Sequence, residues 1–117
     1  MKDREKAARK LLPLSEATYL ILASLTEPRH GYGIMQDVEV VSGGRVRLGP
    51  GTLYGALTNL LSQKLIRRSG ETVAGSDRRK VYALTPLGEK VLILEGERLA
   101  SLSRLASDVT KRLGGMQ

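Results

Sequence analysis

Residues 49–66, GPGTLYGALTNLLSQKLI, followed by RRSGETVAGSDRRKVYALTPLG over 67–88, decide the fold. Pro50 suits the first turn of a helix, where its missing N–H costs nothing. Leu53, Leu57, Leu60 and Leu61 then fall on one face. The opposite face carries Thr52, Gly55, Thr58, Asn59 and Gln63, all small or polar. The spacing predicts a helix over 50–64. Behind it come two strand-like runs, LIRRSGETV and KVYALT, joined by AGSDRR with the turn residues Gly75, Ser76 and Asp77. That is a β-hairpin with a basic tip.

Upstream, residues 31–48 read in two ways. Ile34, Val38 and Val41 keep helical spacing, and Met35 thickens that face. Yet VEVV, SGG and RVRL also read as two alternating strands around a glycine turn. A helix over 32–42 is favoured, since Gly43 and Gly44 suit its C-terminal cap; Arg45–Leu48 is then a short extended piece. Before it, Ser15 is an N-cap candidate for a helix carrying Tyr19, Leu22 and Ala23 to about Glu27, and Pro28 ends it. Residues 2–12 mix both signs of charge and form either a short helix or a basic arm.

Downstream, Thr85 and Pro86 start a helix that continues to about Leu113, where Gly114 and Gly115 stop it. Such a helix is about 40 Å long. Leu87, Val91 and Leu94 form an early apolar stripe. A second stripe, Leu92, Leu99, Leu102, Ala106, Val109 and Leu113 with Leu105 beside it, keeps a seven-residue rhythm that Glu95 breaks at one position. A domain of this size cannot cover all of that surface, so the second stripe calls for another helix, most simply its own copy. The expected division is a basic N-terminal segment (1–13), a globular domain (14–85), a dimerisation helix (86–113) and a short tail (114–117).

Composition removes whole classes of function. With 117 residues, 41% hydrophobic and 26% charged, the chain has room for one globular domain. Twenty leucines and no Phe or Trp make its core aliphatic. The absence of cysteine excludes disulfides, thiolate metal sites and a cysteine nucleophile. His30 is the single histidine, which leaves no two-histidine metal motif; it reads as a turn residue or a phosphate donor. GPGTLYG looks like a phosphate loop but lacks the lysine–hydroxyl ending that such loops use. No carboxylate pair shares a predicted pocket with a nucleophile, so neither catalysis nor a cofactor or metal is expected. Apolar runs fall far short of the roughly 20 residues that span a bilayer, and the N-terminus lacks the features of a secretory signal. The expectation is a cytoplasmic protein without a membrane partner.

Lysine and arginine number 19 against 12 acidic residues, a net charge of +7, and that excess is sorted. Residues 1–12 carry +3, residues 13–44 carry −3, and residues 64–80 hold six cations against two anions. Helix, helix, short strand, helix and hairpin is the order of a winged helix-turn-helix. The fold expected is therefore mainly α with a small β-hairpin wing, extended by a long C-terminal dimerisation helix. In that frame the polar face of helix 50–64 is free to enter a major groove, while Arg78, Arg79 and Lys80 at the hairpin tip, with Arg67 and Arg68 on the partner strand, meet phosphates. A basic hairpin also serves as a solvated edge that discourages strand pairing. Taken with the element order, double-stranded DNA is the expected partner.

HGYGIMQDVEVVSGGRVRLGPGTLYGALTNLLSQKLI (30–66) together with DRRKVYALTPLGEKVL (77–92) resembles the PadR family of transcriptional regulators, over about residues 14–99. The resemblance implies a winged helix-turn-helix, a homodimer joined largely through the C-terminal helix, and operator binding, usually as a repressor on a palindromic site. By position, Thr52, Tyr54, Thr58 and Asn59 match the recognition helix, Tyr32 the tyrosine of the HGYGI segment, and Arg78–Lys80 the wing. Relatives often carry a basic pair where this chain has Thr58 and Asn59. Readout by arginine is thus absent there, and Asn59 is the candidate for reading adenine. Many relatives respond to small hydrophobic ligands at the dimer interface, so a small hydrophobic effector joins the expected partners, in an interface here without Trp or Phe. The alternative is a winged-helix protein-interaction module whose hairpin docks an acidic protein; a further reading is a small RNA-associated basic protein.

Overall fold

The computed structural model describes residues 2–74 and 77–114. Among them the elements run α1 (Lys2–Arg9), α2 (Glu16–Ser24), β1 (Arg29–His30), α3 (Gly31–Val41), α4 (Pro50–Ser62), β2 (Ile66–Ala74), β3 (Asp77–Leu84) and α5 (Pro86–Arg112). The fold is mainly helical, with β1, β3 and β2 forming one antiparallel sheet in that spatial order.

Local chemistry sets each helix boundary. Ser15 caps α2 by accepting from the Thr18 N–H at 3.1 Å. The helix stops at Ser24, short of Glu27, because the Arg29 guanidinium donates to the Ser24 carbonyl at 2.6 Å and satisfies the helix end. Residues 31–41 are helical, not a pair of strands. The helix ends in a paired-glycine cap: Gly43 donates to the Val40 carbonyl (3.1 Å) and Gly44 to that of Glu39 (2.8 Å), with φ of +64° and +80°. Residues 2–9 are helix, seated by the buried Ala8 and by Glu5, which pairs with Arg9 and with Lys90 of α5.

Two expectations about strands need correction. Arg45–Leu48 is not a strand; Val46 and Leu48 pack against the core, and the Val46 N–H is taken by the Ser42 hydroxyl at 3.0 Å. The short strand lies before α3 instead, where Arg29 pairs with Tyr82 and His30 with Val81. The hairpin also runs further than predicted. Strand β3 begins at Asp77, so Asp77, Arg78 and Arg79 belong to the ladder and not to a loop. Gly75 and Ser76 lie outside the described residues.

The core is aliphatic, with Ile21 and Leu22 from α2, Ile34 and Val38 from α3, Leu53, Leu57 and Leu60 from α4, and Val91 and Leu94 from α5. A clasp joins the end of α4 to the start of α5. Thr85 caps α5 by accepting from the Gly88 N–H (3.0 Å). Its hydroxyl donates to the Lys64 carbonyl (2.6 Å), and its own N–H donates to the Leu65 carbonyl (3.1 Å). Gly88 lies against that same Leu65 carbonyl, so close that a Cβ there would overlap it. The exit of α4, the base of the hairpin and α5 are thereby locked together.

Candidate nucleic-acid interface

On α4, Leu53, Leu57 and Leu60 face inward, while Thr52, Tyr54, Thr58, Asn59 and Gln63 are exposed. Every side chain from Leu48 to Gln63 is uncharged. The Thr58 hydroxyl donates back to the Tyr54 carbonyl at 2.9 Å.

The exposed set divides between two flanks. Tyr54 leans toward α3 and the wing, where a cavity of about 490 Å³ is lined by His30, Gly31, Tyr32, Tyr54, Arg79 and Lys80, among others. Its ring covers Gly31 so tightly that a Cβ at Gly31 would stand 2.8 Å from the ring carbon bearing the hydroxyl. The Arg79 guanidinium lies 6.0 Å from the centre of the Tyr32 ring, a cation–π arrangement. His30 caps α3, its Nδ1 accepting from the Gly33 N–H at 3.1 Å. In the neutral ring the proton therefore sits on Nε2, which makes this histidine a donor at the cavity.

Asn59 stands five residues on from Tyr54, about 140° around the helix. With Gln63 it borders a separate groove of about 280 Å³ shared with Leu11, Pro13, Ser15 and Thr18. The predicted DNA residues thus gather as Tyr32, Tyr54, Arg79 and Lys80 on one flank and Asn59 and Gln63 on the other, with Thr52 and Thr58 on the exposed surface between the helix ends. Arg67 and Arg68 stand apart from both. They pair with Ala83 and Tyr82 at the wing base, whereas Arg78 pairs with Val73 near the tip, about 15 Å along the strand.

Along α5 the apolar surface is continuous but changes environment. Val91, Leu94 and Glu95 are buried, and Leu92 packs against the chain's own core. Beyond them Leu99, Leu102, Leu105, Ala106, Val109 and Leu113 are exposed, Leu113 to 80%. Glu95, read from the sequence as a break in the stripe, is 1% exposed. Its carboxylate takes two hydrogen bonds from Arg98, at 2.6 and 2.9 Å, and one from the Leu14 N–H at 2.8 Å. The Arg98 hydrogen bond holds its pKa below the ordinary value, and the Leu14 N–H adds to this, against burial that pushes the other way.

Sequence reasoning missed how His30, Gly31 and Glu95 are used. The first two carried a signal in the unbroken HGYG run; for Glu95 the signal was a charge at an apolar position with an arginine three residues on. Among the described residues there is no cluster of three or more potential metal ligands, and no helix is long and apolar enough to cross a membrane.

A sequence profile of the transcriptional regulator PadR-like family matches residues 20–93. An uncharacterised 37.1 kDa protein in transposon TN4556 of Streptomyces fradiae is 41% identical over 90 residues, covering 76% of this chain. The chain spans only about a quarter (24%) of that relative's length. Among solved structures, a PadR family transcription regulator from Clostridium difficile R20291 is 25% identical with a TM-score of 0.65, covering 85% of this chain and 98% of its own. A Streptococcus mutans UA159 protein is 25% identical with a TM-score of 0.69, covering 81% and 86%. The matching family and the Clostridium difficile structure are regulators of transcription and not enzymes. The chain belongs to the PadR-like family of transcriptional regulators.

Proposed function

We propose that the chain is a repressor that binds a palindromic DNA operator as a homodimer, with α4 in the major groove and the β2–β3 wing on flanking backbone. The carrying observation is the distribution of charge and polarity around α4. Its exposed face is uncharged, and the cavity on its wing side is lined by Tyr32, Tyr54, Arg79, Lys80 and the His30 donor. On the other side lie Asn59 and Gln63, beside the linker that follows the basic helix α1. A major groove about 12 Å wide presents base edges in its floor and phosphates on both rims. Polar groups in the middle and cations at the edges suit that shape. Thr52, Thr58, Asn59 and Gln63 then take base contacts, and Arg67, Arg68, Arg78, Arg79 and Lys80 take phosphates along the wing.

The homodimer rests on the exposed Leu99–Leu113 stripe, which another copy of α5 would cover with the same residues. In this reading residues 14–85 form the DNA-binding unit and 86–113 the dimerisation helix. Control by a small hydrophobic effector at that interface belongs to the same proposal, as does a cytoplasmic location beside the DNA.

The test is selection of bound duplexes from a random pool, followed by titration of the recovered sequence at several salt concentrations. Recovery of a palindrome is expected. If the dimer neutralises 6–10 phosphates, affinity should fall about 10³–10⁵-fold between 50 and 200 mM salt. A pool without enrichment, or binding flat across that range, would refute the proposal.

A further inference from the structure

We infer that Glu95 is a positioning residue that fixes the angle between the winged domain and the dimerisation helix, and through it the spacing of DNA half-sites; the inference rests on the dimeric DNA-binding reading above.

Glu95 occupies the point where α5 leaves its own domain. It is the last buried residue of that helix; the apolar positions after it, from Leu99 on, are exposed. Helical spacing sets it within the same apolar surface, where a leucine would continue the stripe but leave the Leu14 N–H without its acceptor. A buried charge, even when paired, is a poor stabiliser compared with an apolar group of similar size, and its best-attested use is to single out one arrangement among several. The bonds of Glu95 are suited to that use. One carboxylate oxygen accepts from the Leu14 N–H, immediately before the Ser15 cap of α2, across 81 positions of sequence. Both oxygens are engaged by Arg98, one turn further along α5. The start of α2 is thereby tied to one rotational setting of the helix. The Thr85–Gly88 clasp and the Glu5–Lys90 pair hold the first turns of α5, whereas beyond them the apolar packing of Val91 and Leu94 is non-directional and tolerates neighbouring settings.

The lever is long. From Gly96 to Arg112 the helix runs about 25 Å beyond this point. A tilt of about 10° at Glu95 moves the domain by about 4 Å relative to its partner, more than the rise of one base pair, about 3.4 Å. Spacing is thus the property most exposed to this residue.

The experiment measures affinity for a series of duplexes whose half-sites are moved apart or together one base pair at a time. It uses the full chain as a dimer, with fold and dimerisation checked by circular dichroism and sedimentation. The wild-type protein should lose roughly tenfold or more one base pair from its optimum, the scale of a mismatched site. Glu95→Leu should hold the same half-site sequence and vary by less than about threefold across neighbouring spacings. Arg98→Lys, at a half-exposed position that tolerates change, carries the same comparison if Glu95→Leu fails to fold, and should show a broadened optimum. A folded, dimeric variant with the wild-type spacing optimum, whatever its affinity, overturns the inference. Wild-type protein that binds paired half-sites no better than random duplex would instead bring down the reading beneath it, and the spacing role with it.

Discussion

A methyl group at position 88 tests the clasp between α4, the wing and α5. Built on the Gly88 backbone, a Cβ would overlap the Leu65 carbonyl oxygen, stand 3.0 Å from its carbon and 3.3 Å from a Leu84 methyl. The clash is with backbone, and that backbone is held: the Leu65 carbonyl accepts from the Thr85 N–H at 3.1 Å. Retreat therefore breaks a hydrogen bond worth about 1 kcal/mol, on top of overpacking of about 1–3 kcal/mol. Against this, alanine gains about 0.5–1 kcal/mol over glycine in a helix. The net expectation for Gly88→Ala is a loss of about 2–3 kcal/mol, which lowers the thermal midpoint by about 10 °C for a chain of this size. Thermal unfolding followed by circular dichroism reads it. Gly96→Ala, also in α5 but with its nearest neighbour, the Tyr19 hydroxyl, at 3.9 Å, is the control and should hold or raise the midpoint. If Gly88→Ala unfolds at or above the wild-type temperature, the clasp is not the joint described here.

Four other outcomes are expected. Leu102→Lys places a charge in the exposed stripe and should give monomers in sedimentation, with operator affinity falling alongside. Replacing Arg79 and Lys80 together by alanine should weaken specific and random duplexes alike and flatten the salt slope of the dimer by roughly four units, about one per lost phosphate contact with two lost in each protomer. Asn59→Ala should change the sequence recovered by selection while leaving the salt slope intact; an unchanged preference removes Asn59 from base reading. The depressed pKa of Glu95 gives stability that is present above its unfolded-state pKa and lost as the pH falls through the folded value. Acid unfolding of Glu95→Gln should accordingly show less pH dependence below about pH 4.5, near the unperturbed carboxyl value, than the wild-type protein.

What the sequence made legible follows the range of the signals. Pro50, Thr85 with Pro86, Ser15 and the Gly43–Gly44 pair act within one helical turn, and the elements they bound were readable from them. Strand β1 was not, because two residues become a strand only through Tyr82 and Val81, some fifty positions away. The division of the α4 surface was hidden for a similar reason. Tyr54 and Asn59 both matched the recognition helix by position, and only the positions of α3 and the α1–α2 linker send them to different flanks. Glu95 read as a flaw in an apolar rhythm. Its partner Arg98 was near in sequence, but the Leu14 N–H that completes its shell was not.

The clasp at Lys64, Leu65, Thr85 and Gly88 has a consequence for how such a protein diversifies. It anchors the hairpin at its root, and β1 braces the same end of β3 through Arg29 and His30. Residues added to or removed from the far end of the hairpin leave all of these bonds in place. Each doubling of the loop there costs only about 0.6 kcal/mol in closure entropy. In the proposed complex the reach of the wing along DNA can therefore change while α4 stays where it is, which uncouples the span of contacted backbone from the identity of the bases read.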